Sequence, residues 1–407
     1  MRSDARKQTI LVAGGGIGGI AAALGFARRG FAVTVLEQSA ELGEIGAGIQ
    51  LGPNAFRALD CLGVGAAALK GAVYIDKLIL MDGIDGRQIC AVPVDEPFRR
   101  RFGNPYAVTH RADLHRCLLD ACRALPGVEL KTRQRVLRYE RRAGGVRAFT
   151  EAGDSFDADA LVGADGINSR VRSQMLGDGP PRVSGHVAYR AVLPVERMPE
   201  AMRWNAATLW GGPKWHLVHY PLRGWKLFNI VCAFHGEATE QAAGAVGSRE
   251  EVVSRLKGIC EGPRAILETL TEWRYWVLCD RDPVEEWCDG PVTLLGDAAH
   301  PMLQYFAQGA CQALEDAVYV SHSAEAHGGD LAAAFAAYRD ARVVRTARVQ
   351  LSSRLIGDCF YHPGGAARQV RNALLGAKTA AEMYDGFQWI YGDTGLPVSA
   401  GGAADPR

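Results

Sequence analysis

The run Gly14-Gly15-Gly16-Ile17-Gly18-Gly19 restricts the fold more than any other part of this chain. It stands between an apolar run at 9–13 and a helical pattern at 17–29 with Ile17, Ile20, Leu24 and Ala27 on one face. A second apolar run at 31–36 ends on Glu37. Strand, glycine turn, helix and strand in that order make a βαβ unit. Within it, Gly14 allows the tight turn, Gly16 lets the backbone approach a pyrophosphate, and Gly19 lets the helix lie close to the strand. A carboxylate about 20 residues further on accepts from an adenosine ribose. Glu37 stands where that carboxylate belongs, and its charge would repel a 2′-phosphate. The fingerprint predicts a dinucleotide site on a parallel sheet without separating FAD from NAD.

A second segment, VTLLGDAAHPMLQYFAQGACQALEDAVYV at 292–320, points to the same kind of ligand. It reads as a buried strand at 292–295, Gly296-Asp297, a turn through His300-Pro301, and a helix from about Gly309. An acid at the carboxyl end of a strand, facing a helix start, makes a site for a polar cofactor. Asp297 can accept from hydroxyls. The helix N-terminus at Gly309-Ala310 favours a ligand atom that becomes negative. Pro301 shapes the turn, and His300 is assigned no chemistry.

Composition narrows the class. With 48% hydrophobic and 22% charged residues, the 407-residue chain is that of an ordinary globular protein, long enough for more than one core. A net charge of +1 gives no field for nucleic acid or an anionic membrane. The Arg99–Arg101 run and the series Arg339, Arg342, Arg345, Arg348 read as solvated faces. The polar first nine residues give no secretory signal, and no apolar run nears the ~20 residues of a membrane span. Ten cysteines without a C-x-x-C pair argue against a zinc or dithiol site. They read as small buried hydrophobes of a reducing compartment, so no metal and a cytoplasmic location are expected.

A short strand at 106–108 leads to a helix carrying Leu114, Leu118 and Leu125, and 128–162 alternates like hairpins, ending at Asp165-Gly166. From 183 to 290 short strands and seven of the eight tryptophans dominate, most of the rings as β core. After 291 the α/β pattern returns, then helices to about 376 and a glycine- and alanine-rich tail. The expected fold is α/β. A Rossmann-like nucleotide-binding domain (1–182 and the return at 291–365, with a long helix) is interrupted by a mostly antiparallel sheet at 183–290. A C-terminal helix and tail fill 366–407.

GGGIGG at 14–19, VGADGINSRVR at 162–172 and LLGDAAHP at 294–301, in this order and at these separations, resemble the single-component FAD monooxygenases of the para-hydroxybenzoate hydroxylase type over nearly the full length. The resemblance implies bound FAD, with Gly14, Gly16, Gly19 and Glu37 at its ADP half and Asp297 at the ribityl chain. It also implies that Asp165, Arg111 in THRADLH, Val136, and Gln50 in GAGIQLGPNA touch the nucleotide. By spacing alone, Asp165 is as well explained as a helix cap. Arg111 could be a surface residue, and Val136 and Gln50 carry no independent signal. Without a second fingerprint, reduced nicotinamide binds transiently, with NADH preferred. The Gly309-Ala310 helix start would stabilise the anionic pyrimidine edge of reduced flavin.

The segment WHLVHYPLRGWKLFNIVCAF at 215–234 reads as a hairpin turning at Arg223-Gly224. Alternation puts His216, Val218 and Tyr220 on one face, which suits a phenolic acid. A histidine can take a phenol proton, pushing electron density to the ring carbon para or ortho to the oxygen. A histidine merely bonded within a sheet is the alternative, and Gln304 in HPMLQYFAQGA weighs against it. Relatives acting on salicylate commonly carry proline there.

Together HPMLQY, WHLVHYPLRG and GAGIQLGPNA resemble the branch that hydroxylates 3-hydroxybenzoate para to its hydroxyl, giving 2,5-dihydroxybenzoate. By that resemblance His216 deprotonates or polarises the phenol, Gln304 orients the ring, Tyr220 holds the carboxylate or the hydroxyl, and Tyr106 lines the pocket. Salicylate 1-hydroxylation is the rival within the family. An NAD-dependent dehydrogenase and a non-catalytic flavin-binding protein are the rivals outside it. The partners expected are a small aromatic acid and molecular oxygen; a homodimer stays open, and neither nucleic acid nor a membrane span is expected.

Overall fold

The computed structural model describes residues 7–43, 48–238 and 240–396. Gly46 and Ala47 of the GAGIQLGPNA segment, and the end of the C-terminal tail, lie outside the described residues. The βαβ unit forms as its pattern dictates: strand Thr9–Ala13, helix Ile17–Arg28 and strand Ala32–Leu36. These belong to a six-stranded sheet in the order Cys288–Asp289, Val292–Leu294, Ala160–Gly163, Thr9–Ala13, Ala32–Leu36, Val128–Lys131. Its pairings are parallel except at the Cys288–Asp289 edge. Alternate side chains face two different cores. Ile10, Val12, Val33 and Val35 meet a helical layer with Leu24, Phe26, Leu314 and Phe335. Leu11, Ala13, Leu36 and Leu161 meet a small antiparallel sheet with Tyr139, Val146 and Ala148. The parallel sheet is thereby covered on both sides, as such sheets require.

A second, eight-stranded sheet carries the tryptophan-rich segment, but it is not confined to 183–290. Its order is Ala243–Gly247, Trp273–Asp280, Arg182–Pro194, Leu227–His235, Trp215–Leu222, Ala206–Gly212, Lys77–Asp82, Gln88–Pro93. The last two strands come from the amino-terminal portion, and Lys77–Asp82 pairs in parallel with Ala206–Gly212. The sequence boundary at 183 therefore understates the sheet. The reason is that the Ala206–Gly212 edge is buried at every residue and must be paired rather than left to water. One face of this sheet packs Trp210, Trp215, Leu217, Phe228, Ile230 and Trp273 against short helices carrying Val252 and Ile266, which is where several of the tryptophans are used. The other face looks toward the nucleotide domain.

The arginine series corrects a second expectation. Arg342 is wholly buried, bonded to Glu315 and, at 2.7 Å, to Asp316, while Arg345 reaches both Glu315 oxygens at 2.7 and 2.8 Å. These two arginines join the long helix Leu331–Leu355 to the helix Gly309–Ala326 instead of facing water. Among the described residues no helix is long and apolar enough to cross a membrane.

Candidate active site

Two helices begin at the same cleft without a side-chain cap and without an acid in the first turn: Ile17–Arg28 and Gly309–Ala326. Their first N–H groups are left for a ligand. Around the first, Gly14 takes φ +108°, and a Cβ on it would lie 2.3 Å from the Ala164 carbonyl. A Cβ on Gly19 would lie 2.0 Å from the Gly14 carbonyl, so the turn can be built only from glycine. Glu37 accepts from the backbone N–H of Gly15 at 2.6 Å and of Ser39 at 2.8 Å, which fixes its carboxylate beside the glycine turn.

At the second helix start, a Cβ on Gly309 would meet nothing nearer than Asp297 Oδ1 at 4.0 Å, so open space lies over the helix end. Asp297 borders that space. Its side chain is open to solvent although protein surrounds it, as expected at the floor of a cleft. Burial raises its carboxyl above the usual range, and Arg111 and His300 act against that rise. The turn holding Asp297 is clamped from behind, where Asp316 accepts from Gly296 N–H at 3.1 Å and meets His300 Nε2 at 2.6 Å. A carboxylate in an open cleft, a cation near it and two uncapped helix ends fit FAD; the first helix would hold its pyrophosphate, Asp297 its ribityl hydroxyls and Gly309-Ala310 its flavin ring.

The remaining expected contacts divide. Gln50 adjoins this cleft; its carbonyl meets Cys311 Sγ at 3.7 Å, and its side chain accepts from the Tyr106 hydroxyl at 2.7 Å. The Tyr106 ring itself belongs to the buried cluster that also holds Tyr220 and Tyr391. Asp165 accepts from Ser169 Oγ at 2.5 Å and from the N–H groups of Arg170 and Val171, so its carboxylate caps the helix Arg170–Leu176. The cap that spacing allowed for Asp165 is therefore present. Val136 is 4% exposed within the core beneath the parallel sheet, so any contact there would run through its backbone.

Cross-strand register defines the face opposite the flavin end. His216 pairs with Gly211 and Ala233, and Ala233 with Ala188. The next row is Leu209, Val218, Val231 and Arg190, and the third contains Tyr220, Asn229 and Val192. His216, Val218 and Tyr220 therefore share one face, as alternation predicts. The turn Gln304–Phe306 packs over it, with Tyr305 against Ala188, Val231 and Ala233. His216 lies 5.4 Å from the Tyr305 ring and 5.1 Å from the Tyr361 ring. Burial holds its imidazole down at about 3, with His186 adding to the effect.

Arg190 is the residue that sequence reasoning missed. Its guanidinium donates to Gln304 Oε1, lies 5.4 Å above the Trp276 ring, and keeps a buried Nε without a hydrogen-bond partner. Burial lowers its pKa, Arg111 adds to that, and Tyr220 works against it. A half-buried cation with a spare buried donor is matched by an anionic ligand group. With Oε1 engaged, Gln304 keeps its amide donor for the cleft.

Residues 7–330 match the family model described as an FAD binding domain. The 3-hydroxybenzoate 6-hydroxylase of Polaromonas naphthalenivorans is 50% identical over 383 residues, covering 94% of this chain and 95% of that protein. The 3-hydroxybenzoate 6-hydroxylase of Klebsiella oxytoca is 49% identical over 388 residues, 95% of this chain and 97% of its own. Among solved structures, Klebsiella pneumoniae HpxO complexed with FAD and uric acid superposes with a TM-score of 0.83 at 25% identity, over 95% of this chain and 98% of that one.

Proposed function

The chain belongs to the family of single-component FAD-dependent aromatic hydroxylases, and from that membership we propose that it hydroxylates 3-hydroxybenzoate para to the hydroxyl, giving 2,5-dihydroxybenzoate with NADH and oxygen. One observation supports the substrate best. His216, Arg190, Gln304 and Tyr220 surround an apolar floor of Val218 and Val231, so a base and a cation stand on one face with the strand Leu227–His235 between them, offset by two residues. A ring with one phenol and one carboxylate satisfies both.

When bound, FAD accepts electrons from the nicotinamide and activates oxygen. The protein's own groups do the rest. The uncapped helix start at Gly309 stabilises negative charge placed over it, and it is aligned before reaction. Arg190 pairs with the carboxylate, and the Gln304 amide and the Tyr220 hydroxyl donate to substrate oxygens. Burial raises the Tyr220 phenol, against Arg190 and Asn229, so this hydroxyl stays protonated as a donor. His216 Nε2 takes the phenol proton, which raises electron density at the para carbon. Orientation decides the product, since about 1 Å of misplacement can cost a hundredfold in rate.

The FAD-loaded protein, offered each monohydroxybenzoate with NADH under oxygen uptake and product analysis, tests the reading. The expected result is 2,5-dihydroxybenzoate in step with NADH consumed. Catechol from salicylate as the main product, or no stimulation by 3-hydroxybenzoate, would overturn it. Arg190→Met is expected to raise KM for 3-hydroxybenzoate about tenfold to a hundredfold, the worth of one charged hydrogen bond, with FAD retention unchanged. A KM within about twofold of wild type would remove Arg190 from carboxylate binding. A homodimer is proposed on the side chains Val344, Leu351, Leu355, Val370 and Leu374, left exposed on the helices Leu331–Leu355 and Gly365–Gly376, and a cytoplasmic location on ten cysteines of which none forms a disulfide.

A further inference from the structure

His216 is sealed from solvent, yet the proposed reaction delivers a proton to it in every turnover. Its Nδ1 faces His362 Nε2 at 2.7 Å, and His362 Nδ1 faces His235 Nε2 at 3.1 Å. His362 is 5% exposed and uses both ring nitrogens in this bridge; His235 is half-buried at the outer end of its strand, beside exposed Lys214. We propose that His216, His362 and His235 form a proton relay that carries the phenol proton from the buried site to solvent, with His362 and His235 as positioning residues acting through His216. The inference rests on the hydroxybenzoate reading above.

The tautomers close without a gap. With each ring protonated at Nδ1, His216 donates to His362 and His362 donates to His235, and His216 Nε2 is left as a lone pair for the substrate. As the substrate O–H bond breaks, a proton joins His216 Nε2. The Nδ1 proton of His216 passes to His362 Nε2, that of His362 to His235 Nε2, and that of His235 to water. One proton enters, one leaves, and no ring stays charged; reprotonation of the product phenolate from His216 Nε2 runs the same steps backward and restores the starting tautomers. A buried imidazole held far below its ordinary pKa cannot keep the proton, so it needs an exit.

The fold builds this bridge deliberately. His362 follows a π-helical turn, Ile356–Tyr361, and its N–H closes back on the Gly357 carbonyl at 3.1 Å. Gly357 is needed there, because a Cβ would lie 2.5 Å from the Tyr305 ring. The other groups facing the relay are His186, Tyr305, Tyr361, Asp358, Lys214, Arg182 and Asp280. His186 Nδ1 and the Tyr305 hydroxyl share a hydrogen bond at 2.7 Å, and the His186 ring lies 4.2 Å from that of His235, tilted by 32°. His362 stands edge-on to both of these rings, at 87° to His186 and 75° to His235.

The test compares wild-type, His362→Gln and His235→Gln holoenzymes across pH with 3-hydroxybenzoate. The relay predicts that kcat of His362→Gln falls at least about tenfold at pH 7 and recovers to within about threefold near pH 10, where the substrate arrives ionised. His235→Gln shows the same shape with a smaller loss, and the product stays the same in both. A loss that is uniform with pH in both variants, or wild-type kcat at pH 7 in His362→Gln, overturns the relay while leaving the hydroxylase reading intact. Stoichiometric transition metal in the purified holoenzyme would also overturn it. A changed product in wild type would instead sink the reading on which it rests.

Discussion

Replacing His216 by alanine is expected to lower the rate of hydroxylation about a hundredfold or more while FAD stays bound, the range associated with losing a positioned acid–base group. NADH consumption falls less than product formation, and the difference leaves as hydrogen peroxide. The asymmetry follows from geometry. His216 lies on the strand Trp215–Leu222, whereas the groups fitted to FAD lie at Gly14–Gly19, Glu37, Asp297 and Gly309 on other elements. Removing the imidazole leaves the cofactor cleft alone but leaves the phenol protonated. Wild-type coupling of NADH to product, measured by oxygen uptake and peroxide assay, would show that His216 is a sheet residue and nothing more.

Arg342→Met is the second large effect, and it acts on the scaffold. Arg342, Glu315 and Asp316 are all fully buried, so removing the cation takes one charged partner from each of two buried carboxylates, leaving Glu315 to Arg345 and Asp316 to His300 and the Gly296 N–H. Breaking a buried pair from one side costs about 3–5 kcal/mol. At this chain length that corresponds to a fall in Tm of about 3–6 °C by scanning calorimetry. Burial alone would raise the Asp316 carboxyl, but His300 and Arg342 outweigh it and hold it at about 2. A carboxyl depressed in the folded state gives stability that is complete above its unfolded value near 3.8 and is lost as pH falls toward 2. Without Arg342 the carboxyl is held down less, so this pH-dependent contribution shrinks. Because Asp316 also holds Gly296 and His300, the variant should release FAD more readily. A Tm within about 2 °C of wild type would show that the network adds little.

Much of this was legible because local chemistry and tertiary position coincide. The glycine turn, Glu37, the Val292–Leu294 strand and the Gly309 helix start need only nearest neighbours to form, and they stand where their patterns place them. The shared face of His216, Val218 and Tyr220 follows from pleating alone. Arg190 was not legible, since an arginine on a strand reads as solvated until a turn more than a hundred residues later folds over it. Arg342 and Arg345 were misread for the same reason: helical spacing marks a face but not what the face meets. His362 was invisible because a π turn has no sequence period, and Asp165 remained divided until its partners Ser169 and Arg170 could be seen.

The central sheet also sets an order of events during synthesis. Strand Ala160–Gly163 acquires its outer neighbour Val292–Leu294 only after well over a hundred further residues have been made. Until then a nascent chain on the ribosome carries an apolar parallel strand with one edge unsatisfied, a surface that other chains can join. Neither half of the cofactor cleft can close before that late strand arrives, so shortened products of translation should aggregate instead of accumulating as a folded amino-terminal unit.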